Sequence, residues 1–353
     1  MNLSRKSSAL LKELIGIRSV SGNEQPIQEF IENRLRALGI KTLRQRVDRD
    51  RYNLFYLSDS PYVVSCHVDT VPPAGMRNPY RAVEKDGRIY GRGASDVKGA
   101  LASLLTAVEA FIDSGKKLPV SLAFVVDEET NTALGSEKAV EVLGPGKKCL
   151  VLEPTYGKLC IAQQGSLEFT LKVQGKGAHA SEFERVENPV RVLLKVVEQI
   201  EKTIARRVNL IMVKGGSKVY TVPKLCSALL EVKIYEGERW EEVENKILKT
   251  LKNIQTECSV NYNREDVENF IRFKQGDLLS ILSEAFRETT GIEPELGVMP
   301  SWTDAANYHR AGYECVVFGY GSLKDSHTDR ESISIAELGK MSAVFLKFIE
   351  KLS

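Results

Sequence analysis

The segment LAFVVDEET, residues 122–130, runs five apolar residues straight into three acids, Asp127, Glu128 and Glu129. An apolar run of that length with polar boundaries reads as a buried strand of a parallel sheet. The acids then stand at its carboxyl end, where three adjacent like charges repel one another. Such a cluster is either a solvated loop or one arm of a cation site. Other acids and histidines occupy comparable places: His67 and Asp69 in SCHVDTVPP, Asp96 in GRGASDVKG, Glu153 in LEPT and His327 in DSHTDRE. Taken singly, His67 reads as a core histidine, Asp96 as a helix N-cap, Glu153 as a strand terminator and His327 as a surface residue. Taken together they recur at strand ends, the edge of an open α/β sheet where ligands bind. Imidazole and carboxylate are donors that zinc accepts. GRGASD begins like a dinucleotide fingerprint, but Asp96 replaces the last glycine and would repel a pyrophosphate. Its glycines read as a tight turn.

The elements that must position these residues alternate between helix and strand. Helical spacing covers SSALLKELIGI and IQEFIENRLRAL, then a strand covers residues 62–68. A long helix is expected between Asp96 and Gly115, followed by the strand of LAFVV and another over 148–154. That order predicts an α/β sheet with helices on its faces. Near Gly165 the pattern changes. SLEFTLKVQG, RVNLIMVKGG and CSALLEVKIYEG alternate or nearly alternate, and two helices, NPVRVLLKVVEQIEKTI and WEEVENKILKTLKNIQ, lie among them. This is a compact α+β unit of about 100 residues. The α/β character then returns with LLSILSEAFRETTG, YECVVFGYG and a final helix. The smaller unit is inserted into the larger.

Composition narrows the function. The 353 residues are 42% hydrophobic and 27% charged, with net charge +2, ordinary for a two-domain globular protein. No concentrated basic face points to nucleic acid, and no apolar run has the length of a membrane span. The first 20 residues read as an amphipathic helix rather than a signal peptide. The six cysteines form no C-x-x-C pair and read as reduced core residues of a cytoplasmic protein.

HVDTVP, GRGASDVKG, DEET, EPT and SHTDRE, in this order around an inserted domain, resemble the M20 family of metallopeptidases and deacylases across nearly the whole chain. The resemblance implies a zinc-peptidase-like α/β catalytic domain, a mixed sheet flanked by helices, in residues 1–165 and 269–353. It implies an inserted α+β dimerisation or lid domain in residues 166–268. It implies two zinc ions per subunit, replaceable by cobalt: one on His67, Asp96 and Glu153, the other on Asp96, Glu129 and His327, with Asp96 shared. Glu128 corresponds to the general base. Asp69, two residues beyond His67 on an extended strand, would orient that imidazole. His179 in GKGAHAS matches a histidine that completes the active site of the partner subunit, so a homodimer is expected. The Asp96–Val97 peptide is expected to be cis, and His309 matches no ligand position.

The expected reaction is hydrolysis of the N-acyl bond of a basic amino-acid intermediate, such as N-acetylornithine, N-acetyllysine or a carrier-protein-linked lysine or ornithine. The alternatives are a dipeptidase or carboxypeptidase, a succinyl-diaminopimelate desuccinylase, and a metal-binding homologue without catalysis. Thr303 and Asp304 in SWTDAANYHRAG keep the family's substrate-loop pattern, although Trp302 replaces its glycine. Asp304 is a candidate partner for a substrate ammonium or an N-cap. Arg264 in NYNRED is a candidate carboxylate clamp or a solvated surface charge. Tyr220, Glu231 and Lys233 replace an Asn, an Asp and an Arg of the family pattern, so the family's carboxylate-binding role is not carried over onto them.

Overall fold

The apolar residues of LSRKSSALLKELIG fall on one helical face, and the segment forms α1 (Leu3–Gly16), begun by Asn2, whose side chain accepts the Arg5 N–H. The computed structural model describes residues 2–130 and 132–353. The chain divides into two units, Met1–Ala162 with Arg272–Met299 and Thr303–Ser353, and Gln163–Ile271 with Pro300–Trp302. After α1 come α2 (Gln25–Ala37), β1 (Leu43–Asp48), β2 (Arg51–Tyr56), β3 (Tyr62–His67), β4 (Val83–Lys85) and β5 (Arg88–Tyr90). The first long stretch ends with α3 (Lys98–Ile112), β6 (Ser121–Val125), α4 (Leu134–Leu143), β7 (Lys148–Leu152) and β8 (Leu159–Gln163). The second unit supplies β9 (Gly165–Gln174), β10 (Ala178–His179), α5 (Pro189–Ile204), β11 (Asn209–Gly215), β12 (Thr221–Val222), β13 (Leu225–Ile234), α6 (Trp240–Lys252) and β14 (Ser259–Glu268). The chain closes with β15 (Ile271–Arg272), α7 (Asp277–Thr290), β16 (Leu296–Met299), α8 (Ala305–Arg310), β17 (Glu314–Phe318), β18 (Ser332–Ser334) and α9 (Ile335–Lys351).

The first unit is built on a mixed sheet in the order β1-β2-β6-β3-β7-β17-β8-β15, with β16 on β8. Its middle, β6-β3-β7-β17, is parallel throughout. These strands are apolar because helices cover them: every residue of β6 is buried, and α1, α3, α7 and α9 pack on one another as one layer. Register brings the strand ends level, with His67 opposite Val125 and Phe318 opposite Leu152. The chain leaves β3 for its neighbour β6 and then crosses to β7 on the other side of β3. Beyond the end of β3 is thus a topological switch point, where the open crevice of such a sheet lies.

The second unit is a four-stranded antiparallel sheet, β11-β13-β9-β14, with α5 and α6 packed on it. Alternation in sequence is alternation in burial here. Leu167, Phe169, Leu171 and Val173 of β9 meet Ala228, Leu230, Val232 and Ile234 of β13 in one apolar core. The edge strand β11 is exposed along its whole length.

Candidate metal centre

Two sets of three side chains converge at the carboxyl ends of the parallel strands, His67, Asp96 and Glu153 in one and Asp96, Glu129 and His327 in the other. In each set one ligand atom per residue lies within 4.8 Å of the others. The last residue of β3, His67, points Nε2 to 3.2 Å from Asp96 Oδ1 and 3.8 Å from Glu153 Oε1. His327 points Nε2 to 2.9 Å from Glu129 Oε2 and 3.4 Å from Asp96 Oδ2. Asp96 therefore offers one oxygen to each histidine, the disposition of a bridging carboxylate. It does not cap a helix: α3 begins at Lys98 and has no side-chain cap. The glycines before it make the turn, with Gly93 at φ +84°, where a Cβ would also lie 2.8 Å from Lys98 Cδ. The Asp96–Val97 peptide is cis.

The electrostatics call for a cation. Burial raises the Glu153 pKa well above the carboxylate range, and although His67 opposes the shift, nearby Asp96 and Asp304 add to it. Burial and then Glu153 do the same to Glu128. Glu129 is pushed up to about 7 by burial and by Asp96, against the pull of His327. Hydrogen bonds to Asp96 and Glu129 raise His327 to about 10. Burial disfavours a charged His67, but Glu153 and the hydrogen bonds to Asp69 and Asp96 outweigh it and raise its pKa. Glu129 Oε1 and Glu153 Oε1 are buried without a hydrogen-bond partner. Unpartnered buried oxygens beside imidazole nitrogens are the donor set of a divalent cation such as zinc, whose charge would offset their repulsion. The residues fit the group.

The acid triplet divides its work. Asp127 turns away from the histidines: Arg51 Nη2 donates to its Oδ1 at 2.5 Å, and Thr132 Oγ1 and the Leu134 N–H donate to its Oδ2 at 2.5 and 3.2 Å. Burial acts to raise the Asp127 pKa, but the Thr132 and Arg51 bonds outweigh it and lower it. Arg51 also donates to Glu24 at 2.8 Å. The backbone turns at Asp127 with φ +72°, and α4 passes close beneath, since a Cβ on Gly135 would meet Val126 O at 2.0 Å. Asp69 holds the other two acids. Its Oδ1 accepts the Glu128 N–H at 3.2 Å, and its Oδ2 accepts the Glu129 N–H at 3.0 Å and Ser21 Oγ at 2.7 Å. Its carboxylate is 3.6 Å from His67 Nδ1, whereas its carbonyl oxygen is at 3.2 Å. Orientation of His67 is thus shared with the backbone, and the side chain chiefly fixes the loop that carries Glu128 and Glu129.

The candidate substrate residues have protein partners of their own. Thr303 and Asp304 are 0% and 1% exposed, as deeply buried as His67. Thr303 Oγ1 accepts the Ala305 N–H at 3.3 Å. Asp304 does not cap α8; burial pushes its pKa up to about 7. Arg264 stands on β14, 3.3 Å from Glu244 and over the Trp240 ring at 4.7 Å. Its side chain is 47% exposed. Lys233 is likewise paired with Glu231, and Tyr220 is exposed. In the second unit His179 is exposed, with Nδ1 accepting the Ser181 N–H at 3.3 Å. His309 lies against Phe273, ring centroids 5.9 Å apart. Sequence reasoning missed Arg51, Thr132 and Ser21, because a supporting donor has no spacing signature.

The family model for peptidase family M20/M25/M40 matches residues 63–351. Among similar proteins, a succinyl-diaminopimelate desuccinylase of Buchnera aphidicola is 28% identical over 97% of this chain and 98% of its own. A probable carboxypeptidase of Emericella nidulans is 27% identical over 97% of this chain and 88% of its own. A crystal structure of a tripeptidase from Staphylococcus aureus superposes with a TM-score of 0.80 at 19% identity, over 99% of this chain and 98% of that one. No helix among the described residues is long and apolar enough to cross a membrane.

Proposed function

This chain belongs to peptidase family M20/M25/M40 and is a hydrolase of linear amide bonds, and we propose that it cleaves a small N-acylated amino acid, with succinyl-diaminopimelate the first substrate to test. The carrying observation is the shared Asp96, whose two oxygens face different histidines beside the unpartnered oxygens of Glu129 and Glu153. The full-length relatives favour desuccinylase and carboxypeptidase activities over an N-acetylated or carrier-linked basic amino acid.

His67, Asp96 and Glu153 would hold one zinc ion, and Asp96, Glu129 and His327 a second. When bound, the pair supplies Lewis acidity at the scissile carbonyl and makes water a nucleophile near neutral pH. The remaining steps belong to the chain. Glu128, its backbone fixed by Asp69, takes a proton from the attacking water and returns it to the leaving amine. Water supplies one oxygen to the new carboxylate, and the amine departs with the proton. Asp69 keeps Glu128 and Glu129 in register, and Asp127 anchors the loop through Arg51. Exposed His179 would donate to the developing oxyanion in the partner subunit. The exposed apolar residues of β11, among them Ile211 and Val213, support a homodimer through this unit.

The test is turnover by zinc- or cobalt-loaded protein of succinyl-diaminopimelate, N-acetylornithine, N-acetyllysine and dipeptides. The expected order puts succinyl-diaminopimelate first in kcat/KM. A higher kcat/KM for N-acetylornithine or N-acetyllysine would reject that substrate choice, and no turnover with both metals bound would reject the catalytic reading. Mixing His179→Ala with Glu128→Gln protein should restore activity that neither shows alone; strictly monomeric protein would rule this arrangement out.

A further inference from the structure

Glu331 is completely buried four residues beyond His327, and no step above uses it. Its Oε1 accepts two backbone N–H groups, Ser95 at 3.0 Å and Asp96 at 3.1 Å. Its Oε2 accepts Arg92 Nη1 at 2.5 Å, and Arg92 is equally buried. Arg92 Nη2 donates onward to the carbonyls of Pro73 at 2.9 Å and Thr328 at 3.3 Å. Beside this pair, the Ser322 N–H donates to Ser95 Oγ at 2.8 Å, and Ser95 Oγ donates to Ser322 O at 3.3 Å.

These bonds join the loop that carries Asp96 to the loop that carries His327. The carboxylate oxygens of Asp96 face the histidines, and the helix that follows has no side-chain cap, so the two bonds from Glu331 hold the main chain at Ser95 and Asp96. A carboxylate that serves two metals must hold both oxygens in place at once, and the rotation of its backbone sets where they point. Buried donors in need of an acceptor and a buried arginine in need of a counter-charge converge on the one carboxylate of Glu331.

We propose that Glu331, locked by Arg92, is the positioning residue for Asp96 and couples it to the His327 loop. The proposal rests on the reading that Asp96 is a shared metal ligand. Outer partners of metal ligands are worth about 10–100-fold in metal affinity, and that is the expected loss.

Two variants test it. Glu331→Asp keeps the charge for Arg92 but is one methylene too short to reach both Arg92 and the two N–H groups. The double variant Arg92→Met with Glu331→Met replaces the ion pair by apolar side chains, so no buried charge is left unpaired. Zinc titration by calorimetry and the visible spectrum of the cobalt-loaded protein are measured beside circular dichroism and thermal midpoint. The expected result is native circular dichroism in at least one variant, zinc binding about 10–100-fold weaker, an altered cobalt spectrum, and a fall in kcat larger than any change in KM. A folded variant with wild-type zinc affinity and cobalt spectrum would overturn the proposal. So would loss of native structure in both, since the pair would then support the whole fold and not Asp96. If the wild-type protein itself binds no zinc, the failure is that of the metal-centre reading underneath.

Discussion

The carboxylates at the strand ends fall into an outer and an inner group, separated by who satisfies them. Asp69, Asp127 and Glu331 are buried, and each is met by two or three protein donors: backbone N–H groups, a hydroxyl or an arginine. Glu153 is buried and Glu129 half-buried, yet each keeps a buried oxygen with no partner. Protein donors hold Asp127 below its ordinary pKa, while burial and neighbouring acids carry Glu153 above. The difference teaches that burial alone does not define a metal ligand. An acid whose hydrogen bonds are complete is part of the frame, while Glu129 and Glu153, incomplete beside imidazoles, are the candidates to hold a cation.

Glu128 is the sharpest probe of that division, because it is an inner acid outside both sets of ligands. Glu128→Gln should retain full zinc content and lose about 10²–10⁴-fold in kcat, measured by metal analysis and steady-state kinetics. Persisting turnover would remove it from proton transfer. Glu153→Gln should change sign with metal. In chelator it removes an acid that must take up a proton to be buried and raises the thermal midpoint, whereas in zinc at a hundred times the wild-type dissociation constant it forfeits up to about 2.7 kcal/mol of linked stabilisation. The same sign under both conditions would dissolve the distinction between inner and outer acids.

An outer acid should behave oppositely. Asp127→Ala takes one of two carboxylate partners from Arg51, which keeps Glu24, and leaves the Leu134 N–H without its acceptor, so denaturant unfolding should show a loss of about 2 kcal/mol with zinc or without it. A loss seen only with zinc would move Asp127 to the inner group. Asp304 gives the smallest effect. Its pKa is raised from 3.8 to about 7, so the folded state holds a proton that the unfolded state has released. Stability from this group is therefore present at low pH and is lost as pH rises from about 4 through 7. Asp304→Asn should raise the midpoint of chelated protein by about 2–4 °C at pH 8, and by less at pH 5. An equal shift at both pH values would show that titration of Asp304 has no part in it.

The sequence by itself determined the chemistry of the centre. Metal donors come from few residue types; singly, His67, Asp96, Glu153 and His327 have ordinary readings, and only their recurrence with Glu129 at strand ends marked them as candidate ligands. The inserted unit was legible too, because a half-covered antiparallel sheet alternates and a fully covered parallel one does not. Tertiary structure alone decided what those motifs do with their neighbours. Asp127 meets an arginine 76 positions away and Arg92 a glutamate 239 positions away, and such distant pairing has no periodic signal along the chain. The same limit concealed the burial of Thr303 and Asp304, whose motif looked like a substrate loop. A residue type states which atoms can bind or carry a proton; whether those atoms face a cation, a backbone donor or the core is settled only when the strands come into register.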